Sequence, residues 1–522
     1  MPNKRLPKIF AYIVSALLVL MVLGYIIGGL VVRRKVGEAI RQLPPTMQVT
    51  YSSLHPLLFQ SAIMVKNLDI RFTPRVGDTA RSHHVTVGEV DLEGIGFFAW
   101  IFSHKLRLRT LQLEDCGVEL DKALLDSGAM PQGLKPPFAE AIIGRIQLVN
   151  VKLREGRKEL SAEGDLEIDS VHLAMLGDST RVDYGGVHVH LTEARYNYPE
   201  AYSVLHLSGV DLDSHNAELR IDTARITPTV GKLELGKIKG HQEDVVEGIS
   251  TGISVTGLDL KQLRQHRLVA DRVVIGGSRI EVFRDRRLPL EAGEKPLPVD
   301  YLKSLPVDLR VREVDLGTTT FTYEEFPKDG DKTGYLRIVR LKGHITPLIN
   351  HPTEGDPAYI TVVTQGSLMG SGTVSSTMHM PLRKGDPYTV EGAFHDLDVT
   401  SLNPSAENLG DLHLESGLLN NLSFSFSMTS EKSTGKIVGE YHNLVADKLK
   451  GKGAVKKTDK LKSFFLKHLI IPKDKDHTLP VAHRTGKVDY KRDPTRYFSY
   501  YMLHSLLVGV KASFSLGFLL PG

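Results

Sequence analysis

Apolar and polar residues alternate along most of this chain. Leu309–Glu325, LRVREVDLGTTTFTYEE, shows the rhythm: it alternates, breaks near Gly317 as if to turn, and alternates again. Leu106–Leu120, Gly144–Glu155 and Leu268–Asp285 repeat it. From Gln48 onward the same period recurs in Val65–Phe72, His84–Phe97, Gly164–Leu176, Gly185–Tyr196, Tyr202–Leu212, Asn216–Pro228 and Gly231–Gly240. A period of two gives a strand one apolar and one polar face. Gly, Asn, Asp and Pro separate the runs at spacings that suit hairpins, and Gly276-Gly277 before Ser278 reads as one such turn. The pattern predicts roughly two dozen amphipathic strands in a mainly β fold.

Helical patterns are few. Val36–Pro44, Pro136–Arg145, Leu258–Arg267, Val399–Leu409 and Leu461–Ile470 are short candidates. They are too short and too rare to supply a crossover helix after every strand, so an antiparallel sheet is expected rather than a βαβ array. So many amphipathic strands need somewhere to put their apolar faces. A two-sheet sandwich buries them against each other, and a barrel encloses them. A single sheet curled lengthwise into a trough leaves them partly open. Periodicity does not choose among the three.

The front of the chain is different. Ile9–Val32 is an uncharged apolar run, long enough as a helix (about 36 Å) to cross a hydrocarbon core of about 30 Å. Lys4, Arg5 and Lys8 precede it, and Arg33, Arg34 and Lys35 follow, so its flanks give no orientation. It exceeds the apolar region of a signal peptide and lacks a small-x-small cleavage site, so an uncleaved anchor is expected, with Ile13, Leu17, Leu20 and Ile27 inside it.

Composition narrows the function classes. With 41% hydrophobic and 24% charged residues the chain is not a disordered one, and a net charge of +4 over 522 residues does not by itself suggest nucleic acid, where a concentrated basic face is expected. The single cysteine, Cys116, excludes an intramolecular disulfide and a thiolate zinc cluster.

Candidate chemistry is sparse. His188 and His190 share a strand face at a spacing that suits a metal, but a solvated face is the expected reading. His83 and His84 point to opposite faces. Asp211–Asn216 has acidic spacing without the glycine and distal glutamate of a calcium loop, and reads as a turn. Glu324 and Glu325, adjacent in a strand, face apart and make poor acid–base partners. Neither GxSxG nor GxxxxGK[ST] occurs. No catalytic residue, cofactor or metal is expected. Toward the C-terminus, Lys448–Lys475 holds ten lysines, and Arg496–Leu520 is apolar with Tyr497, Tyr500 and Tyr501 at its start. Lysines of this kind meet anionic headgroups, and tyrosines favour the membrane interface. The apolar tail suits an interfacial helix, a plug for the end of a groove, or a last buried helix.

Residues Ala393–Leu449 resemble the C-terminal module of AsmA-like proteins. The likeness rests on a DLxxLNP-type turn at Asp398–Pro404, a GxLxxL-type strand at Ser416–Phe424, a hairpin with central glycine at Gly435–Gly439 and a YxxL strand at Tyr441–Leu444. Leu305–Leu348 and the LDLKQLRQHRLVADRVVI stretch upstream also fit, as does a single N-terminal membrane helix. The resemblance runs from about residue 245 to the end and is only compositional over residues 48–245.

The resemblance implies a β-groove similar to that of bridge-like lipid transfer proteins. It implies an inner-membrane anchor with the N-terminus in the cytoplasm, the bulk in the periplasm, and phospholipid acyl chains as partners. The expected organisation is an anchor (1–35), an N-terminal β-rich region (36–245), an AsmA-like groove module (246–447), and a basic segment with an apolar tail (448–522). Groove-lining candidates are Val273, Ile275, Leu309, Val311, Phe321, Tyr323, Phe424 and Phe426. Headgroup or interface candidates are Lys456, Lys457, Lys460, Tyr497 and Tyr500. The expected function is lipid binding in lipid transport or outer-membrane homeostasis. The competing class is a non-catalytic scaffold for envelope proteins. An envelope hydrolase has no nucleophile motif to support it.

Overall fold

A computed structural model describes residues 43–513, apart from 44, 58–59, 74–81, 97–104, 122–139, 156–158, 177–178, 264, 451–456 and 459–483. The described chain is mainly β and forms two compact units, residues 1–224 with 256–266, and 225–255 with 267–522.

The first unit contains β1 (Met47–Thr50), β2 (Ser53–Leu57), β3 (Ala62–Phe72), β4 (His83–Glu93), β5 (Lys105–Leu120), β6 (Glu140–Glu155), β7 (Leu160–Leu176), β8 (Ser179–Asp183), β9 (Gly186–Tyr198), β10 (Ser203–Asp213) and most of β11 (Glu218–Pro228). β1 and β2 both pair with β3, and the ladder runs on through β4, β5, β6, β7, β9 and β10. Alternation decides what is buried. Ile63, Val65, Val90, Leu92, Leu106, Leu111, Leu113, Ala141, Ile143 and Ile146 fill one core and are at most 3% exposed. Farther along the same sheet Val189, Leu191 and Leu205 are only half-buried.

The second unit contains β12 (Asp244–Thr256) except its last residue, β13 (Arg267–Asp285), β14 (Asp308–Phe326), β15 (Gly334–Thr346), β16 (Leu348–Ile349), β17 (Tyr359–Leu368), β18 (Gly372–Pro381), β19 (Tyr388–Asp398), β20 (Leu412–Met428), β21 (Lys432–Lys450), β22 (Lys457–Thr458) and β23 (Thr485–Lys491). Its ladder is β13–β14–β15–β17–β18–β19–β20–β21–β23. The helices are short: α1 (Leu235–Lys239), α2 (Leu260–Leu263, in the first unit), α3 (Pro298–Lys303), α4 (Asn403–Gly410) and α5 (Phe498–Ser513). Among the described residues no helix is long and apolar enough to cross a membrane. The anchor residues Ile13, Leu17, Leu20 and Ile27 lie outside the described residues, as does the helix expected over 461–470.

Four sequence expectations are corrected. Residues 231–240, expected as a strand, carry α1 instead. The sheets are mixed, because β5 runs parallel to β6 and β13 parallel to β14. The second parallel pair is joined by a crossover, residues 286–307, that carries α3. Residues 140–145, expected to be helical, open β6, where Ala141 and Ile143 are wholly buried at alternate positions. Neither Gly317 nor Gly276-Gly277 turns the chain: β13 and β14 run unbroken through them, with Arg267 opposite Asp308 and Asp285 opposite Phe326. A β-carbon on Gly317 would stand 1.9 Å from the Gly276 carbonyl oxygen, so these glycines permit a close backbone approach. The pairing of β14 with β15 slips on either side of Thr319, which marks a bulge. Bulges and turns favour the same residue types, which is why the sequence suggests a turn.

The helices close the C-terminal half of this sheet. The LNP stretch forms a 3-10 turn (Val399–Leu402), capped by Asp398, whose carboxylate accepts from the Thr400 N–H at 3.0 Å, and then α4. From α4, Ser405 donates to the Tyr335 carbonyl and Asn408 to the Thr333 carbonyl. The helix therefore straps the start of β15 to the start of β20. α5 lies on β21 and β23, with the Ser505 and Ser433 hydroxyls 2.7 Å apart. A β-carbon on Gly486 would stand 1.9 Å from the Gly509 carbonyl oxygen, so this contact is a close one. Leu297 and Val299 of the crossover and Tyr501 of α5 share a core with Met380, Tyr388, Phe424, Phe426, Ile437 and Val488.

Candidate functional site

Partners in a β ladder project to the same side of the sheet, so the register maps one face of the second unit. Val273 and Ile275 on β13 stand opposite Val314 and Leu316 on β14, which stand opposite Ile345 and Gly343 on β15. Beyond the bulge, Ile280 and Val282 stand opposite Phe321 and Tyr323, and these opposite Ile338 and Leu336. The bulge changes the parity of β14, so Leu316 and Phe321 share a face although they are an odd number of residues apart. The face continues through Val362 of β17, Met378 of β18 and Val390 of β19 to Phe426 of β20.

Coverage changes along it. Val390, Phe424 and Phe426 are 3–6% exposed beneath α5 and the crossover. Val273, Ile275, Ile280, Phe321, Leu336, Ile338 and Leu341 are half-buried and belong to no buried core cluster. Of the sequence-predicted lining residues, Val273, Ile275, Leu309, Phe321 and Tyr323 are half-buried, while Val311, Phe424 and Phe426 are buried. The Leu309 amide donates to Asn350, whose side chain also donates to the Leu302 and Val307 carbonyls and so ties the crossover to the start of β14.

At its Phe326 end the apolar stripe stops in charge. Arg284 and Glu325, opposite each other, follow Val282 and Tyr323 on the same face. Arg284 is 8% exposed, its guanidinium forked onto Asp244 of β12 at 2.7 and 2.5 Å. Glu325 accepts from Arg286 at 2.9 Å and from the Tyr323 hydroxyl at 2.9 Å. The start of α5 meets the same place. The Arg284 guanidinium lies 4.9 Å from the Tyr497 ring centre, and so does Arg496 from that of Tyr500, which stacks on His504 at 3.7 Å. Burial pushes the Tyr323 phenol up and the His504 imidazole down, so both are neutral near pH 7. Tyr497 and Tyr500, chosen from the sequence as interface residues, thus join arginines that sequence reasoning missed. The signal available was FRDRR, Phe283–Arg287, where charge abruptly replaces the apolar alternation. Lys456 and Lys460 lie outside the described residues. Lys457 falls in β22, paired with Lys450 of β21.

The His188–His190 pair and the Asp211–Asn216 turn behave as solvated surface. His188 and His190 are 52% and 46% exposed and both contact Asp211. Asp213 accepts from the His215 and Asn216 amides and makes the expected turn. Glu324 pairs with Lys232 while Glu325 pairs with Arg286. Among the described residues no group of His, Cys, Asp and Glu is arranged to hold a metal. No protein-family model matches the chain, and no curated protein matches it.

Proposed function

We propose that this chain is a membrane-anchored envelope protein that binds phospholipid acyl chains in an apolar β-groove. One observation carries the reading: the stretch of the β13–β15 face that holds Val273, Ile275, Ile280, Phe321, Leu336 and Ile338 stays only half-buried and outside both large cores, although the same alternation buries residues almost completely elsewhere. Water is a poor neighbour for such a face, and each buried methylene contributes about 0.8 kcal/mol. Acyl chains supply methylenes without needing a deep pocket or a catalytic group. The sheet then acts as an elongated curled groove. The apolar run Ile9–Val32 holds it to the inner membrane with its bulk in the periplasm, and the protein serves lipid transport or outer-membrane homeostasis. These assignments rest on the sequence and on the AsmA-like resemblance.

The closed core of the first unit supports a second reading, a non-catalytic scaffold, because it shows that such strands can bury their faces within the protein itself. Native mass spectrometry and lipid extraction on the detergent-purified full chain separate the two. Phospholipid retained through delipidating washes is expected for a groove. A folded chain that emerges free of lipid makes the scaffold the better account.

A further inference from the structure

Acyl chains explain the apolar stripe but not its ending. Asp244, Arg284, Arg286, Glu325 and the Tyr323 hydroxyl form a charged belt across β12, β13 and β14, on the side of the sheet that carries Ile280, Phe321 and Ile338. Tyr497, just before α5, and Tyr500 and His504 of α5 complete it. An alkyl chain following the stripe meets guanidinium and carboxylate here and gains nothing by continuing.

The belt is not uniform. Arg284 is buried and uses both arms of its fork on Asp244. Arg286 keeps about a third of its side chain exposed (34%) and spends one hydrogen bond on Glu325. A guanidinium has five donors in a planar fork that matches a phosphate, so Arg286 retains capacity to bind one. Glu325 is 11% exposed and Asp244 30%, so two carboxylates stand beside the two arginines. A site with balanced charge suits a headgroup that is itself balanced.

We propose that this belt is a headgroup site for a zwitterionic phospholipid, with Arg286 taking the phosphate and the acyl chains lying along Ile280, Phe321 and Ile338. The inference rests on the groove reading and adds a polarity to it: in the second unit lipid lies with its headgroup at the Phe326 end of β14.

The test uses the full chain in detergent, incubated with mixed micelles of equal phosphatidylethanolamine and phosphatidylglycerol, followed by native mass spectrometry of the bound lipid. Diacylglycerol, which has acyl chains but no charged headgroup, is the control. The wild-type chain is expected to enrich phosphatidylethanolamine, and Arg286→Gln to lower its retention about tenfold or more, the effect of losing a charge-assisted hydrogen bond. Diacylglycerol binding should not change. Because Arg286→Gln leaves Glu325 without its cation, the double variant Arg286→Gln/Glu325→Gln is measured in parallel. It should fold as the wild type does and show the same loss. Phospholipid retained equally by all three proteins overturns the headgroup site and leaves the groove standing. A wild-type chain that binds neither phospholipid nor diacylglycerol overturns both.

Discussion

A charged pair placed inside the apolar stripe tests the groove most directly. Val273 and Ile275 share one face of β13 and cover about 7 Å of strand. An acyl chain along that length lays down roughly five methylenes, at about 1.3 Å each. At about 0.8 kcal/mol per methylene, contact there contributes about 4 kcal/mol, close to a thousandfold in affinity. Val273→Glu/Ile275→Glu replaces that contact with two carboxylates. Both positions are half-buried, so the folded state should lose only about 1–2 kcal/mol and remain intact. Val363→Glu is the control. Val363 is 44% exposed on the opposite face of β17, opposite His344. Phospholipid per chain, quantified by extraction after equal washing, should fall severalfold in the double variant and stay at the wild-type level in the control. Circular dichroism and thermal unfolding establish that all three proteins are folded. A folded double variant that keeps its full complement of lipid would falsify the placement of a groove on β13–β14.

Three further outcomes are expected. Phe424→Ala empties a buried position beneath α5 and should cost about 3–5 kcal/mol in denaturant unfolding, whereas Phe321→Ala, on the half-exposed stretch, should cost clearly less; equal losses would mean that the two positions are covered alike. Gly486→Ala drives a methyl into the Gly509 backbone of α5, so hydrogen exchange over Phe498–Ser513 should rise while β19 and β20 stay protected; unchanged exchange in α5 would contradict the close contact. Burial lowers the His83 imidazole to about 4, and its Nδ1 accepts from the Asp121 amide. Between pH 6.5 and about 4 the unfolded chain therefore binds the extra proton. The stabilisation is full above pH 6.5 and falls away toward pH 4, by up to about 3 kcal/mol. His83→Gln should flatten that part of the stability–pH curve, and an unchanged slope would place its cause elsewhere.

The sequence conveyed the β class because a period of two is a local property that every strand reports for itself. The helix at the LNP stretch was legible for a similar reason: Asp398 caps the turn and Pro404 sits in the first turn of α4. What stayed hidden depends on neighbours. Gly276 and Gly317 look like turn residues until each is seen beside the other's backbone. The parallel pairs need knowledge of which strand lies next to which. Phe321 and Phe424 sit in equally regular alternation, yet one is half-buried and the other lies under a helix from far along the chain. The belt is harder still, since Asp244, Arg284, Glu325 and Tyr500 come from four separate elements. Each of these residues, taken alone, resembles ordinary solvated surface.

The glycine crossing of β13 and β14 also governs how the chain can change length. It works like a reading frame shared by adjacent lines of text. Deleting Gly317 alone would turn every later residue of β14 to the wrong side and leave Phe321 facing water. Deleting Gly276 as well would restore agreement between those two strands, which keep one constant offset, and would move the mismatch to β12 and β15. A change in one strand must therefore be answered in the next, and the next after that. Single-residue insertions and deletions belong in the connections at the strand ends, where no neighbour has to follow.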